Sequence, residues 1–579
     1  MPSRRYPGIA VCLCSASMLM APPVAAQSAA TQRADARQAT TPDIIVDGTI
    51  DAPSAWKRAE SAHVIVTSKG SEAELKRVTT NLERLYYVMS RVLRRADKPD
   101  DTVKLQVTLI DSADFFQSMD LRNLRSEEGP YAGTFSGQRY YDPREDGEVL
   151  AVARTDQTIK LATALAEDRD AADAAEAGAD ASLGATANRS PIARPWEAVL
   201  YSAFAQHYLL TYLPGAYPRW YLDGIGALFS TMNVRRDGKI DYARAPLDYR
   251  QVFRSYGDLS VRDVLTGQYL DAAPGKRRWT PYHAWLLTHF FLFSNLTPER
   301  SRQFERYMAA IQQGAPMAEA AKAFGDLRRL QNQILAYADK STEFARADPP
   351  PTLGGDPLIS TLTRSSAALI EAQIELGTRL APLPADAAAP QRRAAWLADI
   401  RNTVAKLPYN ADATLTEAEA ECRTEHYAEC RAAAERVLAR SPDTVRALAW
   451  QGIAMTHQAL AAPVADRAAA LVVARKTIEH AIQLDGEAPL PRIAYFKSFT
   501  DAGERVPHDA MLGMARVARA VPAAPGPRLY LGEELVRQGE ADAARRILYP
   551  VLYGAYDSPE KTAATALFAA GGGTASAGR

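Results

Sequence analysis

Apolar and polar residues follow several different periods along this chain, and the changes of period mark its parts. His63-Val64-Ile65-Val66-Thr67-Ser68 reads as a strand. Ser71-Glu72-Ala73-Glu74 follows as a capping box, in which a serine hydroxyl and a nearby glutamate satisfy the first free N–H groups of a helix. Leu75, Val78, Leu82, Leu85 and Val88 continue that helix at helical spacing. Residues 104–110 alternate like a half-buried strand. Residues 131–141 and 148–154 form two more strands around a turn region from Asp142-Pro143 to Asp146-Gly147. The pattern predicts an α+β region beginning near Trp56.

Residues 162–190 are Ala, Asp and Gly with almost no large apolar side chain, so they bury too little surface to repay their ordering entropy and read as an insertion loop. Apolar helices follow around 199–208 and 218–231, with a third over 282–293 and a fourth over 301–337. Pro349-Pro350-Pro351-Thr352-Leu353-Gly354-Gly355 predicts a linker over 346–357, separating a domain at 53–345 from one at 358–560.

Beyond the linker the chain is rich in Ala, Leu and Arg, and it repeats. Ala418 and Gly452 stand 34 residues apart, as do Ser498 and Gly532. Eight to twelve residues after each of these comes a second helix, with Cys430, Ala474, Ala510 and Ala544 at its tight-packing position. Pro442 and Pro522 close two of the units. This resembles the tetratricopeptide repeat, a helix–turn–helix unit in which small residues let paired helices approach closely. The match spans 411–558, with extra residues near 459–468 needed to keep register. It implies an all-α tetratricopeptide-like region at 358–560 that binds a protein or peptide partner. The remaining residues, 561–579, end in Gly571-Gly572-Gly573 and read as a disordered tail.

The N-terminus changes the picture of where the chain works. Arg4 and Arg5, an apolar stretch from Ile9 and the small residues Val24-Ala25-Ala26 form an export signal over 1–26, with cleavage near Ala26 and a polar leader over 27–52. A periplasmic or extracellular location follows, with no membrane span in the mature chain. The 68 basic residues balance the 68 acidic ones, which gives no sign of nucleic acid or anionic membrane as partner. Cys422 and Cys430 alone survive cleavage, either as a disulfide or as two thiols.

The candidate chemistry lies in the first two apolar helices. Val199 to Tyr208 has the length and texture of a zinc-peptidase helix, and Pro218-Arg219-Trp220-Tyr221-Leu222-Asp223-Gly224 follows it. Such a site needs two imidazoles one helical turn apart, with a glutamate beside the first as general base. The segment from Trp220 to Gly224 resembles the third-ligand stretch of gluzincins, the HExxH zinc metallopeptidases. That resemblance implies a gluzincin-like α+β domain from about Trp56 onward.

Carried onto this sequence, the resemblance puts Ser202 at the first histidine, Ala203 at the general base and Gln206 at the second histidine. Asp223 retains a shorter carboxylate at the third ligand, and Ala227 stands where many relatives have a second acid. Serine and glutamine are poor zinc ligands, and alanine moves no proton. No other register restores the motif. His207, Asp223, Trp220 and Tyr221 are left as candidates to line a relict cleft. His207 also reads as a packed core histidine, and a makeshift zinc site from His207, Asp223 and His283 or His289 stays open. The expectation is a non-catalytic pseudopeptidase that binds a protein or peptide, without catalytic residues, metal or organic cofactor. An active zinc peptidase with an atypical site and a structural envelope protein are the alternatives.

Overall fold

The structure, a computed structural model, describes residues 51–571 apart from 95–101, 120, 122–138, 160–191, 247–259, 272–279, 339–343, 351–352, 354, 381–387, 408 and 556. The expected signal segment, most of the expected leader, the expected insertion at 162–190 and the end of the expected tail lie outside the described residues. No described helix is long and apolar enough to cross a membrane.

Six strands make the main sheet: β1 (Pro53–Glu60), β2 (Val64–Ser68), β3 (Leu105–Ile110), β4 (Arg139–Arg144), β5 (Gly147–Ala153) and β6 (Leu358–Thr363). Their order is β6-β1-β2-β3-β5-β4. β2, β3 and β5 run parallel, and the other pairs are antiparallel. Helix α1 (Glu72–Val92) links β2 to β3, and the Ser71 hydroxyl caps it by accepting from the Glu74 N–H. The strand alternation sorts side chains to two faces. Val64, Val66, Leu105, Val107, Leu109, Leu150 and Val152 enter the main core with α1. Ile110, Ala151 and Ala153 join Trp56, Tyr140, Ile370 and Ile374 on the other face.

The apolar helices after the insertion are α2 (Trp196–Tyr212), α3 (Arg219–Phe229) and α4 (Thr280–Phe293). The single helix expected over 301–337 is instead two, α5 (Pro298–Gln312) and α6 (Leu327–Ala338), with short helical turns between. Gly314 and Gly325 adopt positive φ (87° and 66°), a backbone state open mainly to glycine, and these break the run.

The expected linker does not separate two bodies. Residues Ala345–Ala347 pair with Ile240–Tyr242, and β6 pairs with β1 from Thr363 opposite Pro53 to Leu358 opposite Glu60. Helix α7 (Ile370–Leu380) then lays Ile370 and Ile374 onto the second face of the sheet. Residues from Asp51 onward form one compact unit.

From α7 the chain continues as paired helices: α8 (Ala389–Ala405), α9 (Ala411–Arg423), α10 (Tyr427–Leu438), α11 (Val445–Ala461), α12 (Val464–Leu484), α13 (Pro489–Thr500), α14 (His508–Ala520), α15 (Pro525–Arg537) and α16 (Ala541–Leu552). The small-residue register holds throughout. Ala418, Gly452, Ser498 and Gly532 fall on the first helices, and Cys430, Ala474, Ala510 and Ala544 on the second. A Cβ at Gly452 would run into Ile478, and one at Gly532 would lie 2.5 Å from Leu548. The extra residues near 459–468 lengthen one hairpin, whose helices have 17 and 21 residues against 13 and 12 in the hairpin before it. A disulfide joins Cys422 and Cys430 across the α9–α10 turn. Part of the tail expected to be disordered is helix α17 (Pro559–Gly571), whose Ala564 packs with Leu529, Leu548 and Val551.

The array bends around the β4–β5 hairpin. Arg144 donates to the carbonyls of Gln373 (2.6 Å) and Ile374 (3.1 Å). Asp146 lies between Arg446 (3.5 Å) and Arg423 (3.8 Å). The Tyr530 hydroxyl donates to Glu145 at 2.5 Å, and that carboxylate occupies the space where Gly526 lacks a side chain. Farther along, the Ala216 N–H donates to the Tyr549 hydroxyl at 2.9 Å, and Gln312 donates to the Ala216 carbonyl at 3.0 Å.

Candidate functional site

Helices α2 and α3 position the residues that the resemblance sets at the zinc site, and both are sunk in the core. All eleven residues of α3 are buried. Its two glycines explain how it fits. A Cβ at Gly226 would lie 2.7 Å from the Ser202 hydroxyl and 3.0 Å from the Gln206 amide nitrogen, so those side chains fill the space on the α2 side. A Cβ at Gly224 would collide with Thr288 and lie 2.5 Å from the Ala284 carbonyl, both on α4. Two glycines on opposite sides thus let α3 pass between two helices at close range.

Gln206 also donates to the Leu222 carbonyl at 3.2 Å, which ties α2 to α3. Ser202, Ala203, Gln206 and Ala227 are all buried. Asp223 is 2% exposed, and its carboxylate lies 3.5 Å from the Arg219 guanidinium one turn earlier. Trp220 donates to the Tyr307 hydroxyl at 3.0 Å, which in turn donates to the Leu265 carbonyl at 3.1 Å. Tyr221 packs against Tyr217. Among the described residues, Trp220 thus reaches Tyr307 on α5, and Tyr221 also meets Phe304 there. Among the described residues no three His, Cys, Asp or Glu side chains gather as a metal-binding group.

His207 lies toward β4 and β5. Its Nδ1 lies 3.1 Å from the Tyr141 hydroxyl and 3.2 Å from the Thr211 hydroxyl. Thr211 reaches Glu148 at 3.5 Å. Burial alone pushes His207 down to about 3, so the ring is neutral. Burial likewise pushes the Glu148 carboxyl up to about 7, against opposing hydrogen bonds that include one from the Ala523 backbone. Of the other two histidines weighed as ligands, His283 is held down to about 4 by burial, and His289 meets the Tyr337 hydroxyl at 2.6 Å.

Two features that no local sequence signal announced lie on the helical array. One is a groove of about 720 Å3 along α14, α15 and α16, with Met511, Leu512 and Ile547 as apolar lining and Arg505, Glu540 and Arg546 among its charged groups. Leu512 is 51% exposed there. The other is a smaller cavity of about 70 Å3 between residues 210–222 and the last hairpins, where Arg528 is the one charged lining residue among the described residues. The spacing that revealed the small residues says nothing of either, because both depend on how distant helices meet.

No known protein family matches the chain, and no curated protein matches it either. Among solved structures, a thermophilic TPR protein from Thermus thermophilus is 16% identical with a TM-score of 0.29, over 34% of this chain and 99% of that one. A chain described as MamA MSR-1 C2 is 10% identical with a TM-score of 0.21, over 35% of this chain and 98% of that one. At these scores neither likeness carries an argument, and the hairpin array stands on its own register and contacts.

Proposed function

We propose that this chain is an exported, non-catalytic adaptor of pseudopeptidase type that binds a protein or peptide partner through its helical array. The observation that carries the non-catalytic half is the contact of Ser202 and Gln206 with Gly226. The side chains at the ligand positions of a gluzincin helix are a hydroxyl and an amide, and both are used in packing α2 against α3. Ala203, at the general-base position, offers a methyl group. A relict of this kind keeps the helices and loses the chemistry.

The binding half rests on the array. Its face toward the sheet holds the chain's own β4–β5 hairpin, so the groove along α14 to α16 is the surface offered outward. Apolar side chains flanked by charges suit an amphipathic helix or an extended segment laid along it. The test has two arms. The purified mature chain should cleave no member of a peptide library, with or without added zinc. A photoreactive residue at Leu512 should crosslink to one defined partner in the exporting cell, whereas one at exposed Tyr409 should not. Zinc-dependent cleavage that disappears in Asp223→Ala would overturn the non-catalytic reading, and identical crosslinks from both positions would overturn the groove.

A further inference from the structure

The small cavity beside α15 contains a cation with no counterion among the described residues. Leu210, Pro214, Leu222, Pro522, Pro525 and Val551 give it largely apolar walls. Arg528 lines it, and the described hydrogen bond of that guanidinium is a long one, 3.4 Å to the Ile547 carbonyl. Its Nε is buried with no acceptor. No carboxylate offsets the burial that lowers its pKa. A guanidinium among largely apolar walls, with one long hydrogen bond, calls for an acceptor on the side that faces the cavity.

Ser558 lines the same cavity. Its oxygen accepts from the Lys561 N–H at 3.1 Å, which leaves its own proton free to donate. The helix end nearby adds little. Pro525 and Pro527 remove two of the first-turn N–H groups of α15, and the Glu145 carboxylate already stands at Gly526.

We propose that this cavity binds a small carboxylate, held by the Arg528 guanidinium and the Ser558 hydroxyl. The chemistry follows from the lining. One positive group calls for one negative charge, and a doubly charged phosphate would leave half its charge uncompensated among prolines and aliphatic side chains. Two donors lining one small cavity suit the two oxygens of a carboxylate. The volume, about 70 Å3, holds roughly two waters at ~30 Å3 each, which leaves room for the carboxylate and one or two carbons. Two sources carry that group: a free short-chain acid, and the terminal carboxylate of a polypeptide with a small last residue. The site is independent of the adaptor reading, since it lies apart from the α14–α16 groove.

Isothermal titration of the full chain tests the proposal, with sodium propionate, N-acetylalanine and N-acetylalanine amide as ligands and sodium chloride as the control. Propionate or N-acetylalanine should bind saturably, and Arg528→Met should weaken that binding by about tenfold or more, the loss expected for a charge-assisted pair. Binding of N-acetylalanine but not of propionate assigns the site to a chain terminus, and the reverse assigns it to a free acid. The amide should not bind. Arg528→Met should fold, because it removes an unpaired buried charge, and Ser558→Ala gives a second, milder variant with weaker binding. Absence of binding by either carboxylate to the unaltered chain would overturn the proposal. So would equal binding by the amide or by chloride, or undiminished binding in Arg528→Met.

Discussion

Gly224 and Gly226 each set the distance between α3 and a neighbour, and the energetic consequence is concentrated at those two Cα atoms. A methyl group at Gly224 comes within 2.5 Å of a backbone carbonyl of α4, which cannot move aside, whereas one at Gly226 meets two side chains that can shift before it meets a backbone carbonyl at 3.2 Å. Gly224→Ala should therefore destabilise the chain by about 2–3 kcal/mol, and Gly226→Ala by about 1 kcal/mol or less, as read by urea denaturation. Glu148 supplies a second test at this scale. Its folded pKa of about 7 exceeds the ordinary 4.5, so the folded chain holds a proton that the unfolded chain releases between those values. Its effect is to lower stability as pH rises from 4.5 to 7. His207 acts with the opposite sign, since the unfolded ring takes up a proton below 6.5 while the folded ring waits until about 3. In the unaltered chain the two slopes oppose each other between about pH 4.5 and 6.5. Glu148→Gln should remove the opposing slope, leave the rise with pH to which His207 and His283 both contribute, and gain roughly 1–3 kcal/mol at about pH 8, checked by unfolding across that range.

At the scale of elements, the α9–α10 hairpin is closed by a covalent bond that the other hairpins lack among the described residues. Cys422→Ala with Cys430→Ala removes the constraint on a short loop of the unfolded chain and should cost about 2–3 kcal/mol. The unaltered protein under reducing conditions should lose a similar amount, and a urea melt with and without reductant checks both. The hairpins were also the most legible part of the sequence. Small residues that recur because each helix pair needs a close crossing leave a periodic trace, and Ala418, Gly452, Ser498 and Gly532 all fall where that trace put them. Strand β6 left no such trace. It is an edge strand with no fully buried residue and Leu358 at 71% exposure, so no apolar alternation marked it and the preceding prolines read as a boundary. The candidate site was half legible. That Ser202 and Gln206 are poor zinc ligands could be read directly, but their packing against Gly226 could not, because that contact joins positions some twenty residues apart on separate helices.

For the whole molecule, the question is whether the sheet and the array are two parts or one. The charges that dock the β4–β5 tip lie nearly 300 residues apart in sequence, Asp146 with Arg423 and Arg446. Burial raises the Asp146 pKa, but Arg446, Arg423 and Arg144 together outweigh it and hold the carboxyl below its usual range. The stability this contributes is present above about pH 4 and is lost as pH falls further. Arg446 is about half exposed, so solvent weakens its share. The larger tie is the return of β6 to β1 and the seating of α7 on the sheet. Cut within 351–354, the chain yields a first half whose β1 is a bare sheet edge and a second half whose Ile370 and Ile374 are uncovered. Exposed edges and apolar faces of this kind favour aggregation. Each half expressed alone should therefore be insoluble or unfolded, whereas co-expressed halves should co-elute as one complex in size-exclusion chromatography. Two halves that fold and elute separately would show that the pairing of β6 with β1 and the contacts of the hairpin tip are dispensable to each half. Co-elution that Asp146→Arg weakens, and that Arg446→Asp added to it restores, would show that the tip helps to select the docked arrangement.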